Sequence, residues 1–125
     1  MASLPILVVD DQPFPRRSVA SALRSLGRQV VEASSSAEAA FVLAQQRISM
    51  VISDYQLRDG TTGLDVLERV RQSDPDAFRV LMSGDPPPGI ALAVDSGVVH
   101  TFCLKPFGID ELRRVLSAAE GSTTG

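Results

Sequence analysis

Apolar residues come along this chain in short blocks, and the spacing within the blocks alternates between two kinds. Pro5-Ile6-Leu7-Val8-Val9 is a continuous apolar run rich in β-branched residues, as expected of a strand buried on both faces. Val19, Ala22, Leu23 and Leu26 then recur at helical spacing. Pro13 and Pro15 suit a loop or a first helical turn, and Gly27 suits the stop. Gln29–Ala33 predicts a second strand. Ser34-Ser35-Ser36 can cap a second helix, with Ala37, Ala40, Phe41 and Ala44 on the face packed against the sheet. Met50–Asp54 is a third strand, and Leu64, Leu67 and Val70 mark a third helix that Pro75 ends. Phe78–Met82 is a fourth strand. Pro86-Pro87-Pro88-Gly89 cannot be helix interior, so Ile90–Ser96 leaves room for only a short fourth helix. Val98–Leu104 reads as a fifth strand, and Ile109, Leu112, Val115, Leu116 and Ala119 form the stripe of a last helix.

Strand and helix alternate five times. That order predicts an α/β fold, a doubly wound five-stranded parallel sheet with helices on both faces and right-handed crossovers. The 125 residues suit one domain, with 44% hydrophobic and 22% charged residues. It is expected over residues 1–120, with 121–125 a tail or linker of Gly-Ser-Thr composition. A net charge of −3 argues against direct nucleic-acid binding. The chain has neither an apolar run long enough for a membrane span nor a secretory signal pattern, so a cytoplasmic domain is expected. The single Cys103 excludes an intramolecular disulfide and sits in an apolar run, as a small buried hydrophobe would. His100 has no partners at metal-ligand spacing.

In a parallel sheet the carboxyl ends of the strands point one way, and sites form there. The polar residues at the carboxyl ends of the predicted strands are Asp10 and Asp11, Asp54, Ser83 and Lys105. Singly, each has a plainer explanation: the aspartates as caps, Ser83 as a turn residue, Lys105 as a solvated lysine. Together they form a constellation. Three carboxylates in one crevice raise one another's pKa, and a hard cation such as Mg2+ relieves the repulsion. With Lys105 and the Ser83 hydroxyl nearby, such a pocket suits a phosphoryl group. Asp54 is then available as a nucleophile that forms an acyl phosphate.

These residues resemble the receiver domain of bacterial two-component response regulators. The matching stretches are Val8-Val9-Asp10-Asp11, Val51-Ile52-Ser53-Asp54, Leu81-Met82-Ser83-Gly84 and Leu104-Lys105-Pro106-Phe107, within a likeness running from Leu4 to Ala119. The resemblance implies a flavodoxin-like strand order 2-1-3-4-5. It implies Asp54 as phosphoacceptor, with Asp11, Asp54 and the backbone carbonyl of Gln56 on Mg2+ and Asp10 acting largely through water. Lys105 and Ser83 would contact the phosphoryl group, and Phe102 would rotate on phosphorylation, although it is equally a core aromatic of the last strand. The implied partner is a histidine kinase or histidine phosphotransfer domain, docking at Pro13 to Arg17 and the first helix. A homodimer through the fourth helix, fifth strand and fifth helix is also allowed, with an output domain or effector unnamed. The chain would be a signalling switch, catalysing only its own phosphorylation and dephosphorylation.

Some positions depart from the family pattern. Ser83 stands where Thr is usual and Gly84 where Ala is common, and Arg58 occupies a position usually held by proline, which leaves the path of the following loop open. Gln56 and Asp85 sit where the family tunes the lifetime of the phosphoryl group. The apolar stretch before Phe102 looks more like receivers attached to outputs other than DNA-binding domains. Three other readings compete. An aspartyl-nucleophile hydrolase of the haloacid-dehalogenase kind expects an acid where Gln56 stands. A flavin-binding domain needs a phosphate loop where Asp10 and Asp11 stand. A phosphorylation-independent interaction module would keep the fold alone.

Overall fold

The computed structural model describes residues 4–123. The elements are β1 (Ile6–Val9), α1 (Pro13–Ser25), β2 (Val30–Ala33), α2 (Ser36–Gln45), β3 (Met50–Asp54), α3 (Gly63–Ser73), β4 (Phe78–Ser83), α4 (Ile90–Asp95), β5 (Thr101–Leu104) and α5 (Ile109–Thr123). All strand pairs are parallel, and the sheet order is β2-β1-β3-β4-β5. This is the doubly wound sheet that the alternation predicts.

Every residue of β1, β3 and β4 is buried, because helices cover both faces. Alternate strand residues serve opposite cores. Leu7, Val9, Val51 and Leu81 pack with Ala39 of α2 and Val66, Leu67 and Val70 of α3. Ile6, Val8, Ile52, Val80 and Met82 pack with Leu23 of α1 and Leu112, Val115 and Leu116 of α5. β1 pairs with β3 from Ile6↔Met50 to Val9↔Ser53, so Asp10 and Asp54 leave the sheet side by side. In β4 and β5, Ser83 pairs with Leu104, which sets Lys105 just past it.

The helices start and stop for identifiable reasons. Pro13 lies in the first turn of α1, and Gly27 follows that helix with φ 85°, where a side chain would be strained. The Ser35 hydroxyl caps α2 by accepting from the Glu38 N–H at 3.1 Å. Thr62 and Asp65 form a capping box on α3.

Three expectations are corrected or sharpened. α2 does not pack through Ala37, Ala40, Phe41 and Ala44: Ala39 is buried with Val42 and Leu43 against the sheet, and Phe41 is 67% exposed. The helix carries apolar residues on more than one side, and Ala39, Val42 and Leu43 are the ones that pack into the core shared with the sheet and α3. β5 starts at Thr101 rather than Val98, because the Val98 and Val99 N–H groups donate to the Ala93 carbonyl and close the end of α4. α5 continues through Gly121 to Thr123, into the segment whose composition suggested a tail; Thr124 and Gly125 lie outside the described residues.

Arg79, only 5% exposed, ties this half of the fold together. Its guanidinium donates to the carbonyls of Pro75, Ala77, Gly97 and Val98. The His100 ring stacks on Phe78 at 4.9 Å, and its Nδ1 accepts the Arg79 backbone N–H. Burial and the adjacent guanidinium pull the imidazole pKa down. His100 thus lies at the surface with its ring stacked on Phe78 and bonded to the Arg79 main chain.

Candidate functional site at the strand ends

Asp10, Asp11, Asp54 and Lys105 converge, with Ser83 at the end of the neighbouring β4. Asp10 follows β1 and has no solvent exposure. Its Oδ1 accepts the Gln12 N–H at 2.9 Å, and its carbonyl accepts from Arg16 Nη1 at 2.9 Å, so the turn into α1 is held from both sides. Arg16 is itself fixed by Glu32 of β2 at 3.2 Å. Asp54 closes β3 and is 9% exposed. Lys105 Nζ lies 2.8 Å from Asp54 Oδ1 and 3.5 Å from Asp10 Oδ2. The Lys105 N–H donates to the Ser83 carbonyl at 2.8 Å, so the main chain that positions the lysine is locked to the end of β4.

Burial is the largest influence on the Asp54 carboxyl and raises its pKa; the Lys105 ammonium opposes this, and Asp10 and Asp11 push the same way as burial. A nucleophile needs the ionised form, so Lys105 counteracts an environment that favours the neutral acid. The Ser83 hydroxyl, on a residue 8% exposed, makes only a long contact of 3.4 Å with the Asp85 N–H. That leaves it donor capacity for a neighbouring oxygen.

One oxygen each of Asp10, Asp11 and Asp54 lies within 4.8 Å of the others. An octahedral Mg2+ site places oxygens about 2.0–2.1 Å from the ion, so a small contraction would bring all three to one cation. Asp10 Oδ2 is buried and has no hydrogen-bond partner among the described residues, its contact with the Lys105 ammonium being a longer ion pair of 3.5 Å. A buried oxygen without a hydrogen bond is costly, and a cation bound directly or through water would satisfy it. Hard oxygen donors with this unmet hydrogen-bonding capacity fit a divalent metal. The residues present therefore suit the group.

The loop after Asp54 follows a defined path. The Tyr55 carbonyl accepts the Gly63 N–H at 2.7 Å, and Gln56 bridges Thr62 in antiparallel fashion. Phe102 is half-buried beside Leu81, its partner in register, and packs against the core under α3 and α4. Three contributors escaped the sequence reading. Gly63 lets the start of α3 touch the Asp54 backbone, Arg16 supports Asp10, and Arg58 reaches Asp11. Gly63 and Arg58 were visible only as turn chemistry and as a departure, and nothing local marked Arg16. Beside Lys105 and Asp10 runs an apolar groove formed by Phe14, Pro15, Val19, Pro106 and Phe107, with Phe14 84% exposed.

A family model described as the response regulator receiver domain matches residues 6–117. The probable transcriptional regulatory protein TcrX of Mycobacterium tuberculosis is 31% identical over 122 residues, covering 95% of this chain and 52% of the relative. The chain thus spans about half the length of that curated relative. Among solved structures, the signal receiver domain of an HD domain-containing protein from Pseudomonas fluorescens superposes with a TM-score of 0.86 at 29% identity, covering 99% of this chain and 93% of that one. The response regulator protein TrrA of Thermotoga maritima, solved in complex with Mg(2+)-BeF, matches with a TM-score of 0.79 at 26% identity over 93% of this chain and 98% of that one.

Proposed function

The chain belongs to the response regulator receiver domain family, and we propose that it accepts a phosphoryl group on Asp54 from a phosphohistidine of a histidine kinase or histidine phosphotransfer domain. The observation that carries this is the pairing of Asp54 Oδ1 with Lys105 Nζ at 2.8 Å, inside a crevice shared with Asp10 and Asp11. An Asp54 oxygen attacks phosphorus as the P–N bond to the donor imidazole breaks; the departing nitrogen keeps the electron pair, and because the other ring nitrogen of the phosphohistidine carries a proton the donor leaves as neutral imidazole. Lys105 and the Ser83 hydroxyl offset the charge on the transferred oxygens. Asp11, Asp54 and the Gln56 carbonyl would hold Mg2+, with Asp10 acting largely through water. When bound, the ion supplies charge neutralisation between the carboxylates and the phosphoryl oxygens.

The donor domain docks at Pro13 to Arg17 and the first helix, where the groove beside Phe14 leads to Lys105. The phosphorylated state is read on α4, β5 and α5, with Ser83 and Phe102 as the moving parts. The exposed apolar residues Leu92, Leu104 and Ile109 lie on these elements, and they suit an effector or a second copy of the chain. The receiver unit runs to the end of α5, works in the cytoplasm and touches neither nucleic acid nor membrane directly; no described helix is long and apolar enough to cross a membrane. Gln56 and Asp85 tune the phosphoryl lifetime.

The test is chemical labelling. Incubation with acetyl phosphate and Mg2+ should add one phosphoryl group by intact mass, in a hydroxylamine-labile linkage, and a chelator should suppress it. Labelling that ignores the chelator, or that maps away from Asp54, defeats the proposal.

A further inference from the structure

Arg58 is 81% exposed through its side chain, yet it turns back onto the site. Its backbone N–H donates to Asp11 Oδ2 at 3.1 Å, and its Nε lies 3.3 Å from the same oxygen. Asp11 is one of the three carboxylates that converge. The loop fixes where Arg58 can reach. Asp59 accepts from the backbone N–H and hydroxyl of Ser36 at the start of α2, at 2.8 and 2.7 Å, and from the Thr61 N–H at 3.1 Å. The Thr61 hydroxyl, which also donates to Asp59, and then the Ser36 groups hold the Asp59 carboxyl well below the usual range, so the tie stays anionic. At the loop's base the Tyr55 carbonyl and the Gly63 N–H close the turn. Arg58 is therefore presented to Asp11 by a braced loop.

We infer that Arg58 is a built-in competitor of the divalent cation, lowering the site's cation affinity by neutralising Asp11 and leaving that carboxylate when the cation binds. The inference rests on the proposed Mg2+ site. Charge balance supports it. Asp10, Asp11 and Asp54 contribute three negative charges, and Lys105 returns one positive charge. A divalent cation alone would bring the sum to zero, whereas cation and guanidinium together would leave an excess positive charge in one crevice. The two therefore oppose each other at Asp11. The guanidinium is the member that can leave, because its exposure gives it water to replace the lost carboxylate. The Arg58 N–H is a backbone group and keeps its bond to Asp11 whatever side chain stands there.

Mg2+ titration of the full chain by calorimetry, at low ionic strength, tests this with no phosphoryl donor present. Arg58→Ala and Arg58→Gln should each bind Mg2+ about two- to fivefold more tightly than wild type, the scale of an exposed ion pair. The ratio should shrink towards one as salt screens the pair. Arg113→Ala, which removes an exposed arginine from α5, should bind as wild type does and so controls for net charge. Equal or weaker binding by both Arg58 variants overturns the inference and leaves the phosphoacceptor reading intact. Failure of wild type and both variants to bind Mg2+ at all overturns the proposed cation site, and the inference with it.

Discussion

Asp54→Asn should take up no phosphoryl group from acetyl phosphate under conditions that label the wild type, and with a chelator present it should melt a few degrees higher at pH 8. The two effects have one cause. The amide is isosteric but too poor a nucleophile to form the acyl phosphate. It also removes a negative charge that burial and the neighbouring carboxylates disfavour. The sign follows from linkage. The Asp54 carboxyl has a higher pKa folded than the ordinary 3.8, so the native state binds its proton more readily than the unfolded chain does. Ionised Asp54 therefore costs stability above its folded pKa. That cost disappears as pH falls through the folded pKa towards 3.8. The Asn variant's advantage should accordingly be full at pH 8 and fade on acidification across that window, as read by thermal melts of both proteins. Adding Mg2+ should raise the wild-type midpoint more than the variant's, because a ligand that binds the native state stabilises it in proportion to its affinity. A variant less stable than wild type at pH 8, with chelator, would mean that the Lys105 pair outweighs burial.

What was legible in the sequence follows from how a parallel sheet is built. Ile6 to Val9, Met50 to Asp54 and Phe78 to Ser83 are buried along their whole length, so their sequences are mostly apolar, with Arg79 and Ser53 the polar exceptions inside β4 and β3, and the polar residues that close them mark the strand ends. Asp10, Asp54 and Ser83 could be placed in one crevice from that rule alone. Contacts across long sequence separations could not. The tie from Asp59 to Ser36 spans 23 residues and decides where Arg58 goes, while Arg58 itself read only as a missing proline. Phe41 misled because α2 has apolar residues on more than one side, and periodicity cannot choose between them. Val98 and Val99 looked like strand, but backbone bonding to Ala93 claims them for the end of α4. Hydropathy reports burial, and Val99 is buried; it does not report which carbonyl a backbone N–H meets.

Gly63→Ala should destabilise the protein by about 1–3 kcal/mol, the range for forcing a methyl group into a packed site, and slow labelling at Asp54 by at least about tenfold, because small misplacements of reacting atoms are expensive. Gly63 is buried at the first turn of α3, and its N–H donates to the Tyr55 carbonyl at 2.7 Å. A Cβ there would collide with the Asp54 carbonyl oxygen and lie 2.7 Å from Leu81 Cδ1. Leu81 is fully buried in β4 and has little room to move. The Asp54 carbonyl also accepts the Ser53 hydroxyl at 3.0 Å, so pushing it away disturbs the residue that carries the phosphoryl group. Replacing Gly by Ala in an exposed helix interior usually stabilises by about 0.5–1 kcal/mol, which makes the expected loss diagnostic of the clash. Gly121→Ala is the matched control. It lies in α5, and a Cβ there would meet nothing within 4 Å, so this variant should melt at or above the wild-type midpoint and label at the wild-type rate. If Gly63→Ala behaved like Gly121→Ala in both measurements, the close approach of α3 to Asp54 would have no part in shaping the site. If instead it lost stability but labelled normally, the contact would support the fold alone, and the carboxylate's placement would rest on Lys105 and the strand.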